Sequence, residues 1–257
     1  MKENNWFDPF YIQSHLSEEE SNIQKNVRIF CNSELRINVV ERNRKNEFDK
    51  DLYPKFGSLG VLGQTVKTHG GSGTSNLAYG LVAYEFEKID SSYRSSISVQ
   101  SSLVIHPINE FGSQEQKDKY LPQLIKGEKI GCFGLTESEA GSDPASMKTS
   151  FKKTKDGYIL NGSKNWITNA PIADIFIIWA IEENKDHKSI KGFIIEKNTE
   201  GLNTSTIENK TSLKISPTGQ IILNNVYIPN NLCLENTEGW KSVFSCLNKA
   251  RFGISWG

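Results

Sequence analysis

The feature that most constrains this chain is a change of hydrophobic period near Gly127. Before that point apolar residues recur every three or four positions, as on a helix face; after it they alternate, as on a half-buried strand. Ser17 with Glu20 forms a capping-box pair, and Ile23, Val27, Phe30 and Cys31 follow at helical spacing. A second helix is predicted over 76–89 with Ser75 as its N-cap. It is apolar on more than one side (Leu77, Leu81, Val82, Phe86, Ile89), as a buried helix is. A third runs from Ser92 toward Ile108, and Ser113 with Gln116 repeats the capping box before a helix ending near Gly127. Beyond it, Asp156-Gly157 and Asn161-Gly162 are hairpin-turn signals among predicted strands at 151–154, 158–160, 163–167, 175–181, 191–196 and 220–228. Strands this short and this closely spaced predict a small barrel or sandwich, not a βαβ sheet. The last segment is one helix, with Trp240, Val243, Phe244, Leu247, Arg251 and Ile254 on a face that has no partner in the chain.

Composition removes several function classes. The 257 residues carry 30 basic and 30 acidic side chains, a balance that argues against a general nucleic-acid binder. The longest apolar run, IADIFIIWAI, contains Asp174 and is too short to span a bilayer, so no membrane span is expected. MKENNWFDPF has neither a signal core nor a transit-peptide character, which leaves a cytoplasmic address or a processed organellar one. Cys31, Cys132, Cys233 and Cys246 lie far apart and read as reduced, buried thiols. His15, His69, His106 and His187 show no metal-ligand spacing. HGGSGTSN lacks the lysine of a phosphate loop and follows no strand, so it reads as a mobile loop.

Three stretches carry chemistry. GCFGLTESEAGSDPASMKT sets Thr136, Ser138 and Ser142 among glycines, and Asp143-Pro144 reads as a helix or turn entry whose N–H groups can hold an anion. A flat ligand could approach such a backbone closely, although a decorated surface turn explains the spacing equally well. SKNWITNAP presents Trp166 to cover an aromatic ring and Thr168 to reach its edge, or else Trp166 is a core residue. In DSSYRSSISVQSS, Arg94 sits among small hydroxyl residues with Glu87 two helical turns earlier. A guanidinium in a serine-lined pocket requires an anion, either Glu87, a substrate carboxylate, or both in turn; the alternative is a surface salt bridge.

YRSSISVQSSLVIHPI, GCFGLTE, GSDPASM, LNGSKNWITNAPIAD and CLNKARFGISWG together resemble the acyl-CoA dehydrogenase family, most of all its members that act on glutaryl-CoA. The likeness runs from WFDPF to the final residues. It implies an α+β fold: an all-helical N-terminal domain over 1–129, a β-barrel middle domain over 130–236, and over 237–257 the first helix of a C-terminal helical domain. It implies FAD between the domains and a homotetramer in the full-length form. Phe133, Gly134, Leu135, Thr136, Gly141, Ser142, Trp166, Ile167 and Thr168 would contact FAD. Thr136 would bond the flavin ring, Thr168 would sit near the hydride-accepting nitrogen, and Trp166 would pack on the isoalloxazine. Ser142 would also touch the pantetheine arm; Phe244, Leu247, Asn248 and Arg251 would line the acyl-CoA channel. Arg94 and Ser95 would grip the distal carboxylate of glutaryl-CoA, with Glu87 holding Arg94.

The implied reaction removes an α proton, transfers a β hydride to FAD, and loses the distal carboxylate to give crotonyl-CoA and carbon dioxide. Electrons would leave through an electron-transfer flavoprotein, and the address would be cytoplasmic in a bacterium or the matrix of a mitochondrion. The family's proton-abstracting glutamate lies in the C-terminal helical domain, and no acid here matches it; Glu137 and Glu139 stand near the flavin loop but not at its position. The expectation is therefore the front part of a longer or split glutaryl-CoA-oxidising enzyme. The alternatives are a dehydrogenase of another short acyl- or dicarboxylyl-CoA, and an inactive flavin- or acyl-CoA-binding protein.

Overall fold

The change of period is a change of architecture. A computed structural model describes residue 8 and residues 10–185 and 189–257; His187 and most of WFDPF lie outside the described residues. Helix α1 (Glu18–Phe30) starts at Ser17, and the Ser17 and Glu20 side chains cap each other's backbone N–H as the sequence predicts. It runs on through a π-helical and a 3-10 turn into α2 (Val39–Lys45), and α3 (Leu52–Ser58) follows. Neither short helix is predicted, because each is only 7 residues long and a helical period needs more repeats than that to stand out. α4 (Asn76–Glu87) is capped by Ser75 and buried on several sides. α5 (Ser91–Ser98), a π-helical segment (Val99–Ile105) and α6 (His106–Phe111) make one continuous path, and α7 (Gln114–Ile125) begins at the Ser113 capping box.

Among the described residues seven strands then form one curled sheet: β1 (Gly131–Gly134), β2 (Ser150–Lys153), β3 (Gly157–Thr168), β4 (Ile175–Glu182), β5 (Ile190–Glu196), β6 (Leu202–Thr206) and β7 (Thr218–Pro229). The Asp156-Gly157 turn joins β2 to β3 as a hairpin, as expected. Asn161-Gly162 does not make a second hairpin. β3 runs through it, because β7 pairs with β3 on both sides of the dipeptide, and the register shift there is a bulge in β7, which fits two residues, Asn224 and Asn225, opposite Asn161. A Cβ at Gly162 would stand 2.6 Å from the Thr149 hydroxyl, so the glycine serves close packing there. β6 escapes prediction because it is an exposed edge strand without apolar alternation.

β4 lies where the two layers meet. Ile175, Ile177 and Trp179 face a core shared with the helices; Phe176, Ile178 and Ala180 face the inside of the curled sheet with Phe151, Leu160 and Phe193. One edge of β4 is paired in parallel with β1 and then with β2, and the other is paired antiparallel with β5.

Helix α8 (Trp240–Trp256) corrects in part the expectation of a face without a partner. Val243, Cys246, Ala250 and Gly253 are buried against α4 and the π-helical segment. Small residues let the helices close in, so that Phe252 stacks on Tyr79 and Trp256 sits against Gly80, and at Gly253 an added Cβ would come within 2.6 Å of the Tyr79 hydroxyl. Of the face singled out by the sequence, Val243 is buried and Trp240 and Leu247 pack against the core, while Phe244, Arg251 and Ile254 are exposed. No helix among the described residues is long and apolar enough to cross a membrane.

Trp179 is fully buried between the two layers. Trp179→Ala is expected to cost about 3–5 kcal/mol, read as a lower urea midpoint in equilibrium unfolding.

Candidate functional site

The C-terminal ends of β1 and β3, the π-helical segment and α8 converge on a cavity of 170 Å³. The exit of β1 contributes Phe133, Leu135 and Thr136, and the end of β3 contributes Trp166, Ile167 and Thr168. Val99 and Leu103 come from the π-helical segment and Leu247 from α8. Six of the residues expected at a flavin and one expected in the acyl channel are thus brought together. Val99 and Leu103 were not anticipated. They follow Ser95 at successive four-residue steps, so extending the predicted helix face one turn at a time would have found them.

Other expected residues lie outside the cavity. Gly134 points away from it, since an added Cβ would stand 2.5 Å from Ile178 Cδ1 inside the sheet. Gly141 and Ser142 are exposed on the following loop, where Asp143 caps a single 3-10 turn (Pro144–Ser146) and no longer helix. Phe244, Asn248 and Arg251 are exposed on α8, with Arg251 Nη1 donating to Asn248 Oδ1 at 3.1 Å.

The walls are apolar and the rim is hydroxylic. Trp166 is 59% exposed and has a left-handed backbone (φ 59), which costs a bulky residue about 1–3 kcal/mol. The conformation is held by its neighbour. Asn165 N–H donates to Thr136 O at 2.9 Å, and the Asn165 carboxamide accepts from Trp166 N–H at 3.0 Å and donates to Ser138 Oγ at 3.2 Å. The register shift between Lys164 and Ile167 is the bulge that turns the indole off the sheet. Among the described residues, no protein group hydrogen-bonds the Thr136 or Thr168 hydroxyl. An exposed aromatic face with two hydroxyls beside it suits a flat ligand with polar atoms on its edge.

Beneath the rim lies a buried ion pair that the sequence reading missed. Lys164 is 0% exposed, and its Nζ donates to Glu137 Oε1 at 2.8 Å and to Leu135 O at 3.0 Å. The Glu137 carboxylate also accepts from the N–H groups of Lys148 at 2.7 Å and Thr149 at 3.0 Å. Burial lowers the Lys164 ammonium to about 8 despite the attraction of Glu137. Burial opposes ionisation of Glu137 as well, but Lys164 and the two N–H groups outweigh it and hold this carboxyl below its ordinary 4.5.

A second ion pair stands about one and a half turns along the helix from Val99. Arg94 Nε donates to Glu87 Oε2 at 2.6 Å, and Ser91 donates to the other carboxylate oxygen. The two side chains are only 12% and 20% exposed. Among the described residues, no other group accepts from Arg94, so its Nη1 and Nη2 protons are unengaged. Ser95 is half-buried beside it, and Gly257 at the end of α8 lies close enough that a Cβ would stand 2.7 Å from Glu87 Oε2. α8 therefore runs from the cavity, at Leu247, to the ion pair.

A helical layer sealed to a curled sheet by a two-faced strand, with a hydroxyl-rimmed slot at the seam, defines the class of protein. Residues 17–128 match the acyl-CoA dehydrogenase N-terminal domain and residues 132–226 the acyl-CoA dehydrogenase middle domain. The chain belongs to the acyl-CoA dehydrogenase family and carries those two domains. An acyl-CoA dehydrogenase of Bacillus subtilis is 35% identical over 244 residues, which is 94% of this chain and 64% of that protein. A glutaryl-CoA dehydrogenase of Mycobacterium smegmatis, solved in complex with FADH2, superimposes with TM-score 0.93 at 40% identity over 96% of this chain and 63% of the other. Butyryl-CoA dehydrogenase of Megasphaera elsdenii gives 0.88 at 34% identity over 94% and 65%. The chain thus spans a little under two thirds of the length of these relatives.

Because the folded-state pKa of Glu137 is depressed, the stability it contributes is present above 4.5 and is lost as pH falls through the folded value. Thermal midpoints measured on descending pH should show this loss below about 4.5, and Glu137→Gln should remove part of that dependence.

Proposed function

We propose that this chain is the flavin- and thioester-binding part of a dehydrogenase that oxidatively decarboxylates glutaryl-CoA to crotonyl-CoA and carbon dioxide, with electrons passed to an electron-transfer flavoprotein. The observation that carries the reading is Arg94, mostly buried and paired to Glu87 through Nε, with Nη1 and Nη2 unengaged by any of the described residues. A guanidinium so placed suits one more carboxylate, taken in a bidentate grip by its free edge. Glu87 offsets the charge when no substrate is present and keeps the guanidinium turned to the slot. Ser95 supplies a hydroxyl to the same carboxylate.

The residues around the cavity fit FAD. Among the described residues the Thr136 and Thr168 hydroxyls have no protein partner; they would bond the edge of the ring system, while the Trp166 indole covers its face. Gly134, Leu135 and Ile167 supply backbone and packing, and Gly141 and Ser142 stand on the exposed loop where a pyrophosphate or pantetheine would run. FAD, when bound, supplies the hydride acceptor. Val99, Leu103 and Phe133 keep water from the acyl chain, and Phe244, Leu247, Asn248 and Arg251 on α8 flank the path of the CoA arm. The proton-abstracting base is assigned to no residue of this chain. A homotetramer is the proposed assembly of the full enzyme.

The second reading is a dehydrogenase of an uncharged short acyl-CoA, favoured by the likeness to butyryl-CoA dehydrogenase. Arg94 separates the two, because an uncharged chain would leave its free edge desolvated and unpaired. Calorimetric titration of the FAD-loaded chain with glutaryl-CoA and butyryl-CoA decides between them. Glutaryl-CoA should bind more tightly, and Arg94→Met should weaken it by roughly a hundredfold, about 3 kcal/mol, while leaving butyryl-CoA nearly unchanged. Equal binding of the two thioesters, or no effect of Arg94→Met, would sink the glutaryl assignment.

A further inference from the structure

We infer that the buried Lys164–Glu137 pair is the positioning device of the cofactor loop, and that it sets the shape in which Thr136 and Trp166 meet the ligand. Its role toward a flavin rests on the reading proposed above; its role toward the loop does not.

Every proton of the Lys164 ammonium is directed. One goes to Glu137 Oε1, one to the Leu135 carbonyl, and the third faces Met147 Sδ at 3.7 Å. The alkyl stem passes beneath Gly134, where a Cβ would stand 3.1 Å from Lys164 Cγ. The next residue on β3, Asn165, donates its N–H to Thr136 O. Lys164 and Asn165 therefore engage Gly134, Leu135, Thr136 and Glu137 in turn, so one stretch of β3 templates the whole exit of β1. Glu137 closes the far side: its backbone exchanges hydrogen bonds with Ala140 at 3.2 Å in both directions, and its carboxylate holds Lys148 and Thr149.

A buried ion pair adds little net stability over a neutral replacement of similar size, because desolvation of both charges offsets their attraction. What it supplies is direction. A neutral side chain at position 164 would fill the space without fixing the Leu135 carbonyl, and Thr136 would lose the tether on the residue before it. The Trp166 backbone, left-handed and strained, depends on the same stretch.

The test is the double variant Lys164→Met with Glu137→Gln in the full 257-residue chain. Removing both charges leaves no unpaired one, so the double variant should fold with a thermal midpoint within about 5 °C of the unaltered chain. Lys164→Met alone strands the Glu137 carboxylate and should lower the midpoint far more. Hydrogen exchange at the amides of Glu137, Ala140 and Asn165 should quicken at least tenfold in the double variant, with β4 and β5 unmoved. FAD affinity, read by quenching of flavin fluorescence, should fall at least tenfold. Unchanged exchange and unchanged FAD affinity in a folded double variant would overturn the inference and leave the pair a packing element. If the unaltered chain binds no FAD, the cofactor reading fails, and the exchange measurement alone decides whether the pair shapes the loop.

Discussion

β4 meets solvent on neither face over most of its length, and the placement of the candidate site follows from that. Its odd-numbered side chains from Ile175 to Trp179 belong to the core shared with the helices, and its even-numbered ones to the interior of the sheet. A strand buried on both sides is held by apolar burial from two directions, roughly 25 cal/mol per Å² on each. β1 pairs in parallel with this strand, so the exit of β1 is carried to the seam between the layers. The end of β3 and the π-helical segment reach the same seam from opposite layers. The slot lies where β1 and β3 end against a wall made by the π-helical segment and α8.

Two ion pairs sit close to this slot and they are chemically opposite. In Lys164–Glu137 each charge is saturated by protein groups, as a structural pair requires when it is fully buried. In Arg94–Glu87 the carboxylate is bonded on both oxygens, but among the described residues the guanidinium is bonded through Nε only. Saturation marks the first as a brace. The unengaged edge of the second marks it as a receptor. Strong local charge is thus placed twice within one helical layer and sheet seam, for two different ends.

α8 owes its position to small residues. Cys246, Ala250 and Gly253 let it approach α4 until Trp256 and Gly257 touch the turns that carry Gly80 and Glu87. The same approach brings Leu247, in the middle of α8, to the cavity. One helix therefore spans the distance between the aromatic slot and the charged end, which is the geometry a thioester with a distal carboxylate would use.

Much of this was legible in the chain itself. Both capping boxes, the buried character of α4, and the switch from helical to alternating pattern are local effects, decided within a few residues by backbone hydrogen bonding and side-chain period. Phe133, Leu135, Thr136, Trp166, Ile167 and Thr168 could be named in advance because their residue types and order carry the family's pattern. The rest depended on partners distant in sequence. Asn161-Gly162 is a turn dipeptide that stayed within a strand because β7 holds both flanks of β3. The α8 contact depends on small residues that let Phe252 and Trp256 reach Tyr79 and Gly80, and an apolar-face reading passes over small residues in favour of large ones. Lys164 looked like one more charged residue on a strand, and only the folded structure encloses it and sets Glu137 against it. Local pattern decides which elements form; which charges are buried, and which are left with a free edge, is decided by the tertiary packing that removes water from them.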